Sequence, residues 1–271
     1  VTDVNSQLDN AKNATTDAFL TALAKNSTMA TIILQFVSSF DGYYYDRNDK
    51  PYVCKSPRPF YVVITGNRDA LKTLYTDFKV KTMPGLKNKS FFTSESWTLN
   101  ENNACAIISD YTNARRIKTQ RNFLDIDDVS LDRNASSLQF AIGVDYSGIF
   151  VDDNYVLDKS NYQIEPDCFR VVGVSKASPS AIGDFSNIPS KPYAIVISVP
   201  NGSFAPMITL SLRKVIPAWV KKSNVNDDAG FVPASTKSFA IQKMVEGIAA
   251  AYSEDYDNYY KLTVDINKYN K

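Results

Sequence analysis

The sequence predicts an α/β unit with a partial doubly wound sheet, followed by an antiparallel β-sandwich with one inserted helix. Two near-continuous apolar runs, 29–37 and 58–66, alternate with helical patterns, as strands of a parallel sheet buried on both faces do. Beyond residue 82, short candidate strands follow one another with turn-forming residues between them, which favours a sandwich. The 271 residues suit two domains, which we place at 1–81 and 82–271.

The predicted α/β unit has two helices around its two buried strands. Apolar residues at helical spacing predict one helix over 7–26 and another over 67–80, with Asn67 as the N-cap of the second. The opening residues 1–7 read as the end of an apolar strand. Because two or three strands cannot cover themselves, we interpret the chain as a portion of something longer.

The predicted sandwich rests on period-two patterns and one interrupting helix at 236–253. Its candidate strands lie within 90–96, 104–111, 137–146, 168–174, 193–200, 205–215 and 261–269. The last of them predicts a buried face of Leu262, Val264 and Ile266 and an exposed face of Lys261, Thr263 and Asp265.

Composition excludes several kinds of function. The chain has no histidine, which removes Ser-His-Asp and Cys-His nucleophile pairs and histidine metal ligands. Cys54, Cys105 and Cys168 are far apart and follow no zinc-site spacing, so we interpret them as buried small side chains. A net charge of +1 argues against nucleic acid as a partner, and no apolar run is long enough for a membrane span.

Few stretches carry catalytic or ligand-binding patterns. Gly66 stands alone at its strand–helix junction, without the further glycines that a dinucleotide or phosphate loop needs. Asp145 and Ser147 form a D-x-S whose next expected oxygen ligand is replaced by Ile149, which disfavours a magnesium site. The acidic run 124–134 lacks the glycine and glutamate of an EF-hand, and we interpret it as a solvated turn.

The strongest candidate for recognition is the segment 40–54, which predicts a hairpin projecting between the two buried strands. It carries four tyrosines around a polar turn: Tyr43, Tyr44, Tyr45 and Tyr52. Tyrosine combines apolar area with a hydroxyl group and is enriched at interfaces. Ordinary hairpin packing is the alternative explanation of the same residues.

Five separated blocks together resemble the C-terminal half of von Willebrand factor A-like proteins common in Bacteroidota. The blocks are VTD at 1–3, SSFDGYYYD at 38–46, RPFYVVITGN at 58–67, IPAWVKKSNVNDD at 216–228 and KSFAIQKMVEGIAAAY at 237–252. The resemblance implies a Rossmann-like sheet in which residues 1–3 end the fourth strand. It also implies an exported protein at the cell surface or in the periplasm.

The same resemblance implies a metal site that this chain holds only in part. The family's D-x-S-x-S would lie upstream of residue 1, and Asp3 alone matches a position of the site. We therefore expect no cofactor within this chain and a divalent cation such as Mg²⁺ in the complete parent domain. The tyrosine hairpin departs from the family by replacing the usual helix between the last two strands.

Three functions remain open from the sequence. The first is a non-enzymatic binding or adhesion module that presents the tyrosine hairpin to a protein or glycan partner. The second is a histidine-free hydrolase, similar to a glycosidase, with paired carboxylates drawn from Asp125, Asp127 and Asp145. The third is a structural surface protein that associates with copies of itself.

Overall fold

The chain is a mixed α/β protein in which most strand pairs are antiparallel. The computed structural model describes residues 4–77, 80–98, 104–107, 112–119, 126–131, 136–177, 193–200, 203, 205–230, 237–253 and 257–266. Within these residues the helices are α1 Val4–Lys25, α2 Arg68–Asp77, α3 Asp153–Leu157, α4 Ala218–Lys222 and α5 Ile241–Tyr252.

The strands of the first half of the chain are β1 Met29–Ser38, β2 Gly42–Tyr45, β3 Pro51–Cys54, β4 Arg58–Asn67, β5 Leu86–Thr93, β6 Trp97–Thr98, β7 Ala104–Ile107, β8 Ala114–Thr119 and β9 Ile126–Leu131. Those of the second half are β10 Ser137–Val144, β11 Tyr162–Glu165, β12 Arg170–Lys176, β13 Tyr193–Pro200, β14 Met207–Arg213, β15 Asn224–Val225, β16 Ser238–Phe239 and β17 Asn258–Asp265.

The residues group into two compact units, each built from two stretches of chain. Unit 1 comprises residues 1–94 and 215–256, and unit 2 comprises 95–214 and 257–271. The sequence placed a boundary at 81/82 and assigned the helix of 236–253 to the second domain. In the structure α5 groups with the N-terminal residues, and β5 pairs with β1.

The sheet of unit 1 has three strands in the order β4-β1-β5, and β1 is antiparallel to both neighbours. This corrects the prediction that 29–37 and 58–66 belong to a parallel, doubly wound sheet. The connection between the two strands is a hairpin excursion, which returns the chain in the opposite direction, whereas parallel strands need a crossover. The apolar run in β1 arises because helices contact both faces of this central strand.

One face of β1 packs against α1, α4 and α5. The buried residues of this cluster are Met29, Ile33, Phe92, Val220, Ile241, Val245, Ile248 and Tyr252. Two polar side chains of β1 point into the same face and find partners there. Thr31 shares a 2.9 Å hydrogen bond with the Tyr252 hydroxyl, and Gln35 donates to Tyr61 Oη and to Ser223 Oγ. Burial of these groups is therefore compensated by hydrogen bonds.

The other face of the sheet is covered by α2. Asn67 caps this helix as predicted, since its Oδ1 accepts from the N–H groups of Asp69 at 3.0 Å and Ala70 at 3.2 Å. Asp69 also pairs with Arg68 at 3.0 Å. Backbone N–H groups in the first turn of α2 are thus satisfied by a side chain of the protein itself.

The two long helices of unit 1 approach very closely at Gly247. A Cβ atom at this position would lie 2.6 Å from the Lys12 carbonyl oxygen and 2.8 Å from Thr15 Cβ. Thr16 Oγ1 also donates to the Gly247 carbonyl at 3.2 Å. Glycine weakens a helix, but the close contact with α1 requires a glycine at this position of α5.

Two helix starts differ from the sequence prediction. Residues 4–7, read as the end of a strand, already belong to α1, and residues 1–3 lie outside the described residues. Helix α5 begins at Ile241 because Ala240 adopts a left-handed conformation with φ 58°, which no helical residue has.

Unit 2 contains two four-stranded sheets with the orders β12-β13-β10-β7 and β11-β14-β17-β6. All their pairs are antiparallel except β17 with β6. Residues from both sheets form one buried cluster, an arrangement compatible with a β-sandwich. The predicted alternation of the last strand is confirmed, since Leu262, Val264 and Ile266 are buried.

Three tyrosine hydroxyls meet inside the cluster of unit 2. Tyr146 shares hydrogen bonds with Tyr260 at 2.6 Å and with Tyr162 at 3.1 Å, and Tyr162 donates to the Val156 carbonyl at 2.7 Å. Burial is the main cause that raises the pKa of all three hydroxyls, so they remain protonated donors and acceptors. The network thus gives the apolar cluster a polar centre whose hydroxyls all have partners.

We predict that Gly247→Ala destabilises the protein by about 1–3 kcal/mol, because the new methyl group would overlap backbone and side-chain atoms of α1. Chemical denaturation monitored by circular dichroism measures the change. The matched control is Gly66→Ala, whose Cβ would meet only Leu71 Cδ2 at 3.9 Å, an ordinary contact. Equal stability of the two variants would contradict the close helix contact.

Candidate binding hairpin

Strands β2 and β3 form a two-stranded hairpin whose side chains divide between two faces. The register places Tyr43 opposite Val53 and Tyr44 opposite Tyr52. Because successive residues of a strand point to opposite faces, the four tyrosines predicted as one binding group cannot act alike. Tyr43 and Tyr45 lie on one face, and Tyr44 and Tyr52 lie on the other.

The first face is open to solvent. Tyr43 is 64% exposed, Tyr45 is 60% exposed and Val53 is 57% exposed. We call these three residues the aromatic face. Two residues apart on one strand, the two rings follow each other at a spacing of roughly 7 Å. Large apolar side chains grouped in this way on a surface mark candidate interaction sites.

The second face of the hairpin is held by the buried carboxylate of Asp46. Its Oδ1 accepts from the N–H groups of Asn48 at 2.8 Å and Lys50 at 3.0 Å, which closes the turn between the strands. Its Oδ2 accepts from the Tyr52 hydroxyl and from the N–H of Gly230, both at 3.2 Å. One side chain therefore joins the turn, the inner tyrosine and the loop that follows β15.

Asp228, in the loop that follows β15, holds the other inner tyrosine. Tyr44 donates to Asp228 Oδ2 at 2.5 Å, and the N–H of Arg47 donates to Asp228 Oδ1 at 3.1 Å. The guanidinium of Arg58 lies over the Tyr44 ring, 4.7 Å from its centroid. Buried Cys54 closes the base of the hairpin, with Ser56 Oγ 3.3 Å from its Sγ.

The surroundings of these groups shift their pKa values, and burial together with the charge of Asp46 raises the pKa of Tyr52. Burial, the hydrogen bond to Asp228 and the charge of that carboxylate raise the pKa of Tyr44 to about 12. Burial acts to raise the pKa of Asp46, but the N–H groups of Lys50, Asn48 and Gly230 outweigh it and hold the pKa below its usual range. At neutral pH Tyr44 is therefore a donor and Asp46 a charged acceptor.

Two other carboxylates singled out from the sequence, Asp145 and Asp127, belong to other elements of the described structure. Asp145 is buried and accepts from the N–H of Ser147 at 2.8 Å and from its hydroxyl at 3.0 Å, so the D-x-S forms a local turn. Asp127 stands opposite Lys118 in the register of β8 and β9. Asp125 and Asp3 lie outside the described residues.

The described residues contain neither a group of side chains suited to a metal ion nor a helix suited to a membrane. Among the described residues, no group of three or more aspartate, glutamate, cysteine or histidine side chains is placed to hold a metal ion. In that same part of the chain, no helix combines the length and apolar character needed to cross a membrane. Cys54 is buried as the sequence predicts, whereas Cys168 is only partly buried.

The two carboxylates that hold the hairpin, Asp46 and Asp228, were not predicted from the sequence. Asp46 had a readable signal, because an aspartate followed by a polar turn commonly accepts from N–H groups two residues later. Asp228 had none, since it is separated from Tyr44 by 184 positions. The fold and the hairpin define a mixed α/β protein that displays an aromatic surface on a supported β-hairpin.

No protein-family model, no curated protein and no solved structure matches this chain.

We predict that Tyr44→Phe lowers the free energy of unfolding by about 1–2 kcal/mol, because the Asp228 carboxylate loses a hydrogen bond. Urea denaturation at neutral pH measures the loss. Tyr43→Phe, at the exposed neighbouring position, is the matched control and is expected to change stability by less than about 0.5 kcal/mol. A similar effect of both substitutions would contradict the assignment of the inner and outer faces.

The contribution of Tyr44 is expected to depend on pH in the alkaline range. Its folded-state pKa of about 12 is raised above the ordinary value of 10.0, so folding favours the protonated form. The stability difference between the native protein and Tyr44→Phe is therefore constant below pH 10 and shrinks as the pH rises towards 12. Denaturation series across this range test it, and a difference that grows with pH would contradict it.

Proposed function

We propose that the chain is a non-enzymatic binding module that presents the aromatic face of the hairpin to a protein or glycan partner. The observation that carries the proposal is the division of roles between alternate residues. Tyr43 and Tyr45 are largely exposed, whereas Tyr44 and Tyr52 are tied to buried carboxylates behind them. In a hairpin that only packs against the rest of the protein, two neighbouring aromatic rings on one face would be buried.

Rigid support favours binding. Ordering a flexible loop on association costs free energy, and a hairpin fixed beforehand avoids much of that cost. Here the turn is closed by Asp46, and the strands are tied to the loop of Asp228. The aromatic face is therefore held in place before a partner arrives.

The chemistry of the aromatic face suits an extended partner with apolar surface. Aromatic rings contribute apolar area with few rotatable bonds, and their faces stack on sugar rings or on apolar side chains. The two ends of the hairpin carry charges of both signs, with Arg47 of the turn paired to Asp227 at 3.1 Å and Lys55 after β3 near Asp41 before β2 at 3.7 Å. Balanced charges favour a neutral ligand over a strongly charged one.

The wider setting of this function is part of the same proposal. The resemblance to von Willebrand factor A-like proteins suggests a larger protein, exported and attached to a bacterial surface, with a divalent cation bound by residues upstream of this chain. The coding sequence upstream of residue 1 tests the proposed larger protein. The resemblance requires a D-x-S-x-S there, after an apolar strand. No described contact favours the hydrolase alternative over binding.

We predict that the double substitution Tyr43→Ser and Tyr45→Ser reduces binding at least tenfold, because it removes both exposed rings. The measurement is binding of the fluorescently labelled protein to an immobilised glycan array and a displayed peptide library. Surface plasmon resonance then measures the affinity of each ligand found.

Met207→Ser provides the matched control, because Met207 is an exposed apolar residue of unit 2, whereas the hairpin belongs to unit 1. Circular dichroism establishes that each variant is folded. Unchanged affinity of the folded double variant for every ligand would overturn the role of the aromatic face.

A further inference from the structure

Strand β4 forms an open edge of the unit 1 sheet. It pairs with β1 on one side, and no described strand pairs with its other side. Three of its apolar side chains are exposed, Phe60 by 45%, Val62 by 37% and Val63 by 40%. Partial exposure of the adjacent residues Val62 and Val63, which point to opposite faces, indicates that β4 is incompletely covered on each face.

The outward backbone groups of β4 can be assigned from its register. The N–H of Arg68 donates to the Thr28 carbonyl at 3.0 Å, which continues the register of β4 with β1. In an antiparallel pair the hydrogen-bonded residues alternate, so the even-numbered residues of β4 bond to β1. The N–H and C=O groups of Tyr61, Val63 and Thr65 therefore point away from it, and no described backbone group bonds to them.

The opposite edge of the same sheet is protected in two ways that β4 lacks. Strand β5 carries Lys87 and Lys89, and charged side chains on an edge discourage pairing with another strand. The indole N–H of Trp219 also donates to the Lys89 carbonyl at 3.2 Å. Strand β4 carries no charged side chain from 59 to 67. Protection is confined to its first two residues, the charged Arg58 and Pro59, which lacks an N–H group on the outward side.

We propose that β4 pairs antiparallel with β4 of a second copy of this chain about a two-fold axis, joining the two three-stranded sheets into one. From Pro59 to Asn67 the strand is neutral, so no like charges meet when these residues pair with their own copies. The outward groups of Tyr61 and Val63 supply both donors and acceptors, as a symmetric pair of strands requires. The partner is thus a second copy, and the interface is a continuous antiparallel sheet.

The apolar side chains of the strand select the register. With Val62 opposite its own copy, Phe60 stands opposite Ile64. A shift that places Val63 opposite its own copy would set Phe60 against Gly66, which has no side chain to contact it. Aromatic and β-branched side chains directly opposite one another are favourable, so the register centred on Val62 is preferred.

Analytical ultracentrifugation of the full chain over a wide concentration range tests this pairing. The native protein is expected to show a concentration-dependent monomer–dimer equilibrium. Val62→Lys and Val62→Glu, each alone, are expected to raise the dissociation constant at least tenfold, because each sets like charges opposite one another. An equimolar mixture of the two variants is expected to restore the dimer, with an affinity that falls as salt is added.

Two further variants keep the test decisive. Val63→Pro removes an outward N–H without touching the bonds to β1, and it is expected to abolish dimerisation while circular dichroism shows a folded chain. Met207→Lys, a charge added at an exposed site of unit 2, is expected to leave the dimer unchanged.

The proposal is overturned if the native protein remains a monomer at all concentrations, or if the mixture of Lys and Glu variants fails to dimerise. It is also overturned if Tyr43→Ser with Tyr45→Ser abolishes the dimer, since the aromatic face would then hold the copies together. Loss of ligand binding with an intact dimer leaves the pairing standing, so failures of the two proposals are distinguishable.

Discussion

Burial of β1 on both faces is the constraint on which unit 1 depends. The strand lies between β4 and β5, and it is contacted by α2 on one side and by the cluster that includes α5 on the other. Its polar residues Thr31 and Gln35 are therefore obliged to find partners inside the protein, and they do so on the face covered by α5. The close contact of α1 with α5 at Gly247 completes the cover of that face.

A second constraint acts on the hairpin, which leaves the sheet between β1 and β4. A pair of short strands is marginally stable by itself and needs packing or hydrogen bonds from elsewhere. Asp46 and Asp228 meet this need with backbone N–H groups and tyrosine hydroxyls as donors. Charged acceptors form the stronger hydrogen bonds, so few contacts suffice to hold a segment with little apolar burial.

Sequence alone predicted local elements better than pairing. Helices α1, α2 and α5, the two long strands, the hairpin and the Asn67 cap follow from patterns within about 20 residues, where periodicity and capping chemistry operate. The short helices α3 and α4 were not predicted. Strand direction was predicted wrongly for 29–37 and 58–66. A continuous apolar run indicates that a strand is buried on both faces, but it does not indicate the direction of the strand paired with it. The support of Tyr44 by Asp228 could not be predicted, since no local rule links residues 184 positions apart.

The alternation of β2 has a consequence for how such a surface could diversify. Tyr43 and Tyr45 contact solvent, and the residue between them carries the attachment to the rest of unit 1. Under the proposed function, selection could therefore change the outer side chains, and with them the ligand, while the inner residues preserve the fold. A hairpin with this division separates what a protein recognises from what keeps it folded, at a distance of one residue along the chain.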